Sequence, residues 1–230
     1  MVGIIIAIDG PAGSGKSTTA RLVADQLGYV YIDTGAMYRA VTLAAIRRGI
    51  AFTNRALGVL VKTINIQLEQ SPNGQRTLLD GIDVSKEIRM PEITKHVSEV
   101  SASPEVREAM VHEQRRIGKK GGVVMDGRDI GTVVFPHADL KVFMTASIDI
   151  RAERRAEELQ SKGIVTSASD IAIEIEERDN LDSNRATSPL IKAPDARILD
   201  TTSLSLQEQS DMIKNWAMEI INKTSNNKDI

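Results

Sequence analysis

The stretch that decides the fold is IDGPAGSGKSTTARL, residues 8–22. It contains the pattern G-x-x-x-x-G-K-[ST] at residues 10–17, between an apolar run and a helical pattern. Glycines let successive backbone N–H groups curl around phosphate oxygens, and the positive end of the following helix favours the same charge. The pattern therefore predicts a loop that binds the phosphates of a nucleoside triphosphate.

The residues of this loop have distinct expected roles. Lys16 would place its charge on the β- and γ-phosphates, and Ser17 would offer its hydroxyl to Mg²⁺. A guanine-specific protein should also carry an N-K-x-D pattern, which this sequence lacks, so ATP is favoured over GTP. The residues expected to bind ATP are Gly10, Pro11, Ala12, Gly13, Ser14, Gly15, Lys16, Ser17 and Thr18.

Outward from the loop, apolar runs alternate with helical patterns, as in a parallel α/β sheet. Strands are predicted at residues 2–8, 29–33, 122–127, 140–146 and 196–201. Helices are predicted at residues 16–28, 35–49, 91–101, 104–117, 149–162, 170–185 and 206–223. The pattern predicts a five-stranded parallel sheet flanked by helices.

Residues 62–89 break this pattern. Ile64, Ile66 and Leu68 alternate with polar residues, and SPNG at residues 71–74 is typical of a turn. The segment predicts an antiparallel β-meander inserted into the parallel fold. The same spacing also fits a surface hairpin without a functional role.

Composition narrows the class of protein. The 230 residues carry a formal net charge of −2, 41% are hydrophobic and none is cysteine. Such a chain can bury a full core without disulfides, and it has no basic field that would attract nucleic acid. Its apolar runs are too short to span a bilayer. We expect an unprocessed cytoplasmic protein, a monomer, that binds neither nucleic acid nor membranes.

A second group of charged residues follows the third apolar strand. Asp126 ends that strand, where a carboxylate can hold the magnesium shell, and Arg128 and Asp129 come directly after it. Ligands of open α/β sheets bind at this carboxyl edge. A solvated turn is the alternative interpretation.

Two charged helices add further arginines. Arg151, Arg154 and Arg155 lie near one helix face, and Arg178, Asp182 and Arg185 share a face at spacing i, i+4, i+7. A salt-bridged solvent helix would show the same spacing. Transfer between two anionic phosphates, however, requires several cations around the moving group, and arginine matches phosphate geometry.

Four motifs together resemble the bacterial cytidylate kinases, a family of nucleoside monophosphate kinases. They are GPAGSGKST, DTGAMYRA, DGRDIGTVVFP and ERDNLDSNRA, and the resemblance extends over most of the chain. It implies a parallel core of residues 1–35, 92–150 and 186–230. It further implies a monophosphate-binding subdomain of residues 36–91 that contains the meander, and a short helical lid, residues 151–185 with its flanking helices.

The resemblance also implies the substrates, ATP and CMP or dCMP, and a role for each site residue. Thr34, Tyr38 and Arg39 would line the CMP site, with Arg39 on its phosphate. Arg128 would also reach that phosphate. Arg151 and Arg155 would contact adenine and phosphate. The residues implied to act on the transferring group are Lys16, Arg128, Arg155 and Arg185, with Ser17 and Asp126 holding the metal through water.

The remaining implied roles concern the nucleoside. Ser98, Arg107 and Asp129 would read the cytosine edge, although SEVSASPEVR offers Ser101 and Ser103 as well. Arg178 and Asp182 would hold the ribose. The choice of a carboxylate has its own physical logic, because Asp129 would accept from the amino group of cytosine and repel the O4 of uracil.

Two other functions fit part of the pattern. Another small-molecule P-loop kinase would keep Lys16 but has no use for Asp129 beside an antiparallel insert. A nucleotide-dependent switch would bind ATP or GTP without releasing ADP in response to an acceptor. The missing guanine motif and the two arginine-bearing helix faces count against the switch.

Overall fold

The computed structural model describes residues 3–71, 74–161, 163–164 and 166–226, in which strands and helices largely alternate. The strands are β1 (Ile5–Asp9), β2 (Val30–Asp33), β3 (Ile66–Ser71), β4 (Gly74–Leu79), β5 (Ile82–Asp83), β6 (Val123–Gly127), β7 (Leu140–Thr145) and β8 (Arg197–Asp200). The helices are α1 (Lys16–Leu27), α2 (Thr34–Arg47), α3 (Asn54–Leu60), α4 (Pro91–Ala102), α5 (Pro104–Gly118), α6 (Ile148–Gln160), α7 (Ala168–Asn184) and α8 (Leu206–Asn226).

The central sheet has the strand order β2-β6-β1-β7-β8, and all its neighbours run parallel. This confirms the predicted five-stranded parallel sheet. Successive residues of β1 point to opposite faces, so Ile6 and Ile8 pack with α1 and α8, while Ala7 packs with α5. Because both faces are covered, the inner strands β1, β6 and β7 are mainly apolar, with charged residues chiefly at their carboxyl ends.

The inserted sheet is separate. Strands β3, β4 and β5 form a three-stranded antiparallel sheet, which confirms the predicted meander. Its residues Ile66 and Leu79 pair across the ladder and join a core cluster with residues of α2, α4 and α5. The insert is therefore packed onto the helices beside the sheet edge. Residues 72 and 73 of the predicted turn lie outside the described residues.

Three elements were not predicted: α3, a single 3₁₀ turn at Glu87–Arg89 and a π-helical turn. Helix α3 begins after Thr53, whose hydroxyl accepts from the Ala56 N–H at 3.3 Å. Residues 130–134 form one turn of π-helix directly after Asp129, in which the Phe135 N–H donates to the Ile130 carbonyl at 2.7 Å. Turns of π-helix are rare in proteins, and those that occur often lie at functional sites.

Several element boundaries differ from the prediction. Strand β1 begins at Ile5 and ends at Asp9, and α7 covers residues 168–184 in place of 170–185. The predicted lid loop at 163–169 is thereby shortened, and residues 162 and 165 are not among those described, nor are Val2 and residues 227–230 of the tail. Within the described part, none of the helices is long and apolar enough to cross a membrane.

The topology brings three strand ends together. Strands β2, β6 and β1 are neighbours, and their carboxyl ends lead into Thr34, Arg128 and the glycine-rich loop respectively. The segments that the sequence singled out thus lie side by side at one edge of the sheet.

Candidate active site

The glycine-rich loop joins β1 to α1 and cannot accept side chains at two of its glycines. Gly10 has φ +151°, and a Cβ there would lie 2.0 Å from the Met144 carbonyl oxygen. Gly13 has φ +74°, and its Cβ would meet the Arg151 Cβ at 3.0 Å. The loop therefore lies tightly between β7 and α6. Its amides precede the start of α1 at Lys16, which makes the loop suited to an anion.

Lys16 is buried beneath this loop, with 5% of its surface exposed. Its Nζ donates to the Pro11 carbonyl at 2.5 Å and to Ser14 Oγ at 3.2 Å. Burial, with the nearby Arg128 guanidinium, lowers the pKa of Lys16 well below its usual value. No carboxylate of the described residues lies within 4.0 Å of this ammonium. A phosphate group would supply the missing negative charge.

Ser17 and Asp126 meet beside the loop. The Ser17 hydroxyl donates to Asp126 Oδ2 at 2.7 Å, and the Tyr31 hydroxyl donates to Oδ1 at 2.9 Å. Burial, with the neighbouring Asp33, raises the pKa of Asp126. Mg²⁺ usually keeps several waters and takes one or two protein oxygens plus substrate phosphates. A hydroxyl and a single carboxylate fit that pattern, whereas no cluster of three metal-binding side chains occurs in the described ranges.

The buried carboxylate of Asp129 is the centre of the acceptor side. Arg107, on α5, donates its Nη2 to Asp129 Oδ2, and Arg185 Nη2 lies 4.0 Å from Oδ1. The Arg107 guanidinium also stacks over the Tyr38 ring at 5.3 Å. Burial raises the pKa of the Tyr38 hydroxyl to about 12. The structure thus brings together three residues predicted for the acceptor, Asp129, Arg107 and Tyr38, and Arg185, which was predicted for the transferring group.

Helix α7 adds charges on the opposite wall. Asp182 accepts from Arg128 Nε at 2.8 Å, and Arg178 Nε donates to Ser98 Oγ at 3.1 Å. Burial opposes ionisation of Asp182, but Arg128 and Arg178 outweigh it and lower the pKa of the carboxyl. Burial, with the like charge of Arg128, lowers the pKa of Arg178 to about 10. Two guanidinium groups this close to each other favour an anion between them.

Of the three candidate serines, Ser98 faces this cluster. Ser101 Oγ donates to the Ser98 carbonyl at 3.1 Å, and Ser103 Oγ donates to Glu105 at 3.0 Å. Ser101 and Ser103 are therefore satisfied within their own segments, while Ser98 accepts from α7 across the cleft. Contact of Ser98 with a base stays a prediction.

The end of β2 supplies a third wall. Thr34 Oγ1 donates to the Asp126 carbonyl at 2.7 Å, which ties β2 to β6. Asp33 caps α2 by accepting from the Ala36 N–H, and its carboxylate also pairs with Arg39 at 3.2 Å and Arg89 at 2.8 Å. Arg89 comes from the end of the insert, so the insert reaches the acceptor side through this ion pair.

The lid-side arginines do not all reach the loop. Arg151 Nη1 donates to the Ala12 carbonyl at 3.1 Å and pairs with Asp179 of α7. Arg154 donates to Thr201 at 3.1 Å and 2.7 Å, beside Gly15. Arg155 donates to Glu158 at 2.6 Å along its own helix. The structure therefore brings Arg151 and Arg154 to the phosphate loop, and the adenine contact of Arg155 stays a prediction.

Three buried arginine nitrogens lack hydrogen-bond partners among the described residues: Arg39 Nε, Arg107 Nε and Arg185 Nη2. Buried donors are almost always paired in folded proteins, so unpaired ones mark a place where a ligand completes the network. Arg39 and Arg107 were predicted to bind the acceptor, and Arg185 was predicted to act on the transferring group. The site is therefore built for a polyanion with further acceptor groups.

Some participants were not predicted from the sequence: Asp9, Asp33, Arg89, Arg154 and Asp179. Asp33 and Asp179 lie within the motifs DTGAMYRA and ERDNLDSNRA, so their membership of these motifs could have marked them as site residues. Arg89 had no signal that separates it from surface arginines, whereas Arg154 was placed on the arginine-bearing helix face but given no role, because its contact joins segments distant in sequence.

A glycine cradle with a buried lysine, facing arginines across the carboxyl edge of a parallel sheet, defines the class of P-loop kinases that phosphorylate small anionic acceptors. Comparison with known proteins narrows the class. The sequence profile of the family described as cytidylate kinase matches residues 6–219. The chain belongs to the cytidylate kinase family.

Two curated relatives and one solved structure illustrate the similarity. The cytidylate kinase of Oceanobacillus iheyensis is 49% identical over 229 residues, 99% of this chain and 98% of the relative. That of Enterococcus faecalis is 52% identical over 213 residues, 92% and 94% of the two chains. An uncharacterized protein from Eubacterium ventriosum matches with a TM-score of 0.51 at 13% identity, over 93% and 98%. That last likeness concerns the fold alone.

Proposed function

We propose that this member of the cytidylate kinase family transfers the γ-phosphoryl group of ATP to CMP or dCMP, giving ADP and CDP or dCDP. The observation that carries the proposal is the pair of buried arginines beside Asp129, Arg107 and Arg185, each with one nitrogen that lacks a hydrogen-bond partner among the described residues. The relatives named above support the same activity, because they are cytidylate kinases of nearly the same length.

The donor is held by main-chain amides of residues 10–18 and by Lys16. Lys16 exchanges its contacts with Pro11 and Ser14 for phosphate oxygens. Ser17 and Asp126 would hold Mg²⁺, which would supply positive charge beside the phosphates. Arg151 lies against the loop and neutralises the outer side of the triphosphate.

The acceptor phosphate is bound by Arg39 and Arg128, while Arg178 and Asp182 hold the ribose. One oxygen of the acceptor phosphate attacks the γ-phosphorus, the bond to the β–γ bridging oxygen breaks, and ADP leaves. The phosphate of a nucleotide has its second pKa near 6, so at pH 7 the attacking oxygen is already ionised and needs no general base. Arg185 and Lys16 balance the charge that spreads over the moving group.

The cytosine edge is read by Asp129. Its carboxylate accepts from the exocyclic amino group, and Arg107 fixes its orientation. Uracil presents an oxygen at the same position, which the carboxylate repels. A site that pairs a buried polar group discriminates strongly against a substrate that leaves it unpaired.

An acceptor panel tests the proposed function. ADP release is measured with ATP and Mg²⁺ and, in turn, AMP, GMP, UMP, CMP, dCMP and dTMP, and then after chelation of the metal. CMP and dCMP should give the highest kcat/KM, and chelation should abolish turnover. A higher kcat/KM with another monophosphate would instead indicate a different P-loop kinase. ADP release that ignores every acceptor would indicate a nucleotide switch.

Asp182 should distinguish the sugars. If its carboxylate accepts from the 2′-hydroxyl of the ribose, Asp182→Ala should lower kcat/KM for CMP about tenfold more than for dCMP, because dCMP has no 2′-hydroxyl and so no such hydrogen bond to lose. The variant also removes the hydrogen bond that Asp182 accepts from Arg128. This change affects CMP and dCMP alike, so it cancels in the ratio of their kcat/KM values. Steady-state kinetics with both nucleotides provides the measurement, and an unchanged ratio would exclude the sugar contact.

A further inference from the structure

Asp9 ends β1, immediately before the phosphate loop, yet its side chain bonds to the acceptor side. One carboxylate oxygen accepts from the Ile130 N–H at 2.8 Å and the other from the Gly131 N–H at 2.7 Å. These residues begin the π-helical turn and directly follow Asp129. The first N–H groups of a helix have no partner within it, so the carboxylate caps the turn.

The Asp9 carboxylate is buried, which disfavours its charged form, and it bonds to one segment only. Burial raises the pKa of Asp9 to about 6, although both amides oppose the shift. Among the described residues, both hydrogen bonds of the side chain go to residues 129–131, here called the acceptor loop, and none goes to residues 10–18. If Asp9 stabilised only the phosphate loop, its carboxylate would accept hydrogen bonds from that loop. Its bonds to Ile130 and Gly131 show that it stabilises the acceptor loop instead.

Asp129 is thus fixed from two sides. Arg107 fixes its side chain, while Asp9 fixes the main chain that follows it. The segment has little freedom elsewhere, because a Cβ on Gly127 would lie 2.7 Å from Ile130 Cδ1. We infer that Asp9 is a specificity-determining positioning residue, which holds residues 129–131 so that the Asp129 carboxylate meets the cytosine amino group. The inference rests on the proposed function, since it requires Asp129 to read the base.

Asp9→Asn tests the inference. Asparagine offers one acceptor oxygen and turns its amino group against the second N–H, so the acceptor loop loses one tie. We expect the ratio of kcat/KM for CMP to that for UMP to fall about tenfold, with KM for ATP changed by less than about threefold. A merely structural role would lower both acceptors equally.

Val23→Ala is the matched control. Val23 is a fully buried residue of α1 and belongs to a different core cluster from Ile130. Its truncation to alanine lowers the stability of the fold without altering the acceptor loop directly. In the control, the ratio of kcat/KM for CMP to that for UMP should equal that of the wild type. If Asp9→Asn also keeps that ratio, or raises only KM for ATP, the inference is overturned.

Gly131→Ala covers the case in which Asp9→Asn does not fold. Its Cβ would lie 3.4 Å from Asp9 Oδ2 and 3.2 Å from Lys141 Cδ, so the loop must shift by a few tenths of an ångström. We expect a loss of selectivity of about threefold in the same direction, and an unchanged ratio would contradict the inference. Failure of the proposed function has a different signature, because the wild type itself would then show no preference for CMP over UMP.

Discussion

Lys16→Met is expected to lower kcat for CMP phosphorylation about 1,000-fold, the scale found when one preorganised charge donor is removed from a reacting group. Methionine keeps the length of the side chain and removes its charge. Because Lys16 is buried without a carboxylate partner in the described structure, the change should not leave an unpaired acidic group behind. Coupled measurement of ADP release at saturating ATP and CMP provides the value.

Lys141→Met is a closely matched control for this prediction. Lys141 is also a buried lysine, and its Nζ donates to the carbonyl of Pro136, five residues earlier, as Lys16 donates to Pro11. Its ammonium pairs with Asp195 and lies outside the proposed site. The control should lose thermal stability but keep kcat within about threefold. If Lys16→Met retained kcat within tenfold of the wild type, the lysine would have no part in phosphoryl transfer.

Asp129→Ala is expected to remove the preference for CMP over UMP, with kcat/KM for CMP falling about 1,000-fold and that for UMP far less. The carboxylate is buried and paired with Arg107, so its removal also leaves that guanidinium unpaired. Breaking a buried pair costs about 3 kcal/mol of stability, which thermal unfolding would report. The ratio of kcat/KM for CMP to that for UMP does not depend on this loss of stability, since both reactions use the same folded protein.

Asp129→Asn refines the test. Its oxygen can still accept from Arg107, while its amino group can donate to the O4 of uracil. UMP should therefore become the better acceptor in this variant. An unchanged ratio of kcat/KM for CMP and UMP in both variants would refute the assignment of Asp129 to the base.

Local patterns were sufficient to predict most of the fold. The alternation of Ile64, Ile66 and Leu68 predicts the inserted sheet, and the apolar runs predict the parallel strands, because side-chain period follows backbone geometry. Helix α3 was missed although Thr53 is a typical cap, since its seven residues contain little periodic signal. The π-helical turn depends on Asp9, 121 residues away, and no local pattern encodes such a partner.

The candidate site was less accessible to prediction than the fold. The motifs indicate which residues gather at the sheet edge, but not how they pair. Arg154 and Arg155 both follow Arg151 on one helix face, and only the position of Thr201 after β8 decides which of them reaches the loop. Ser98, Ser101 and Ser103 likewise differ only in what the opposite helix presents. Pairing across the fold is a tertiary property, and helical spacing does not contain it.

The contact between Asp179 and the phosphate loop has a consequence for the order of events. Asp179 accepts from the Ala12 N–H at 3.0 Å and pairs with Arg151, so one carboxylate of α7 is bonded to the phosphate loop. Arriving ATP must compete with this internal carboxylate, and displacing it disturbs the same helix that carries Arg178 and Asp182. If this displacement changes the affinity for CMP, then by thermodynamic reciprocity CMP changes the affinity for ATP by the same factor.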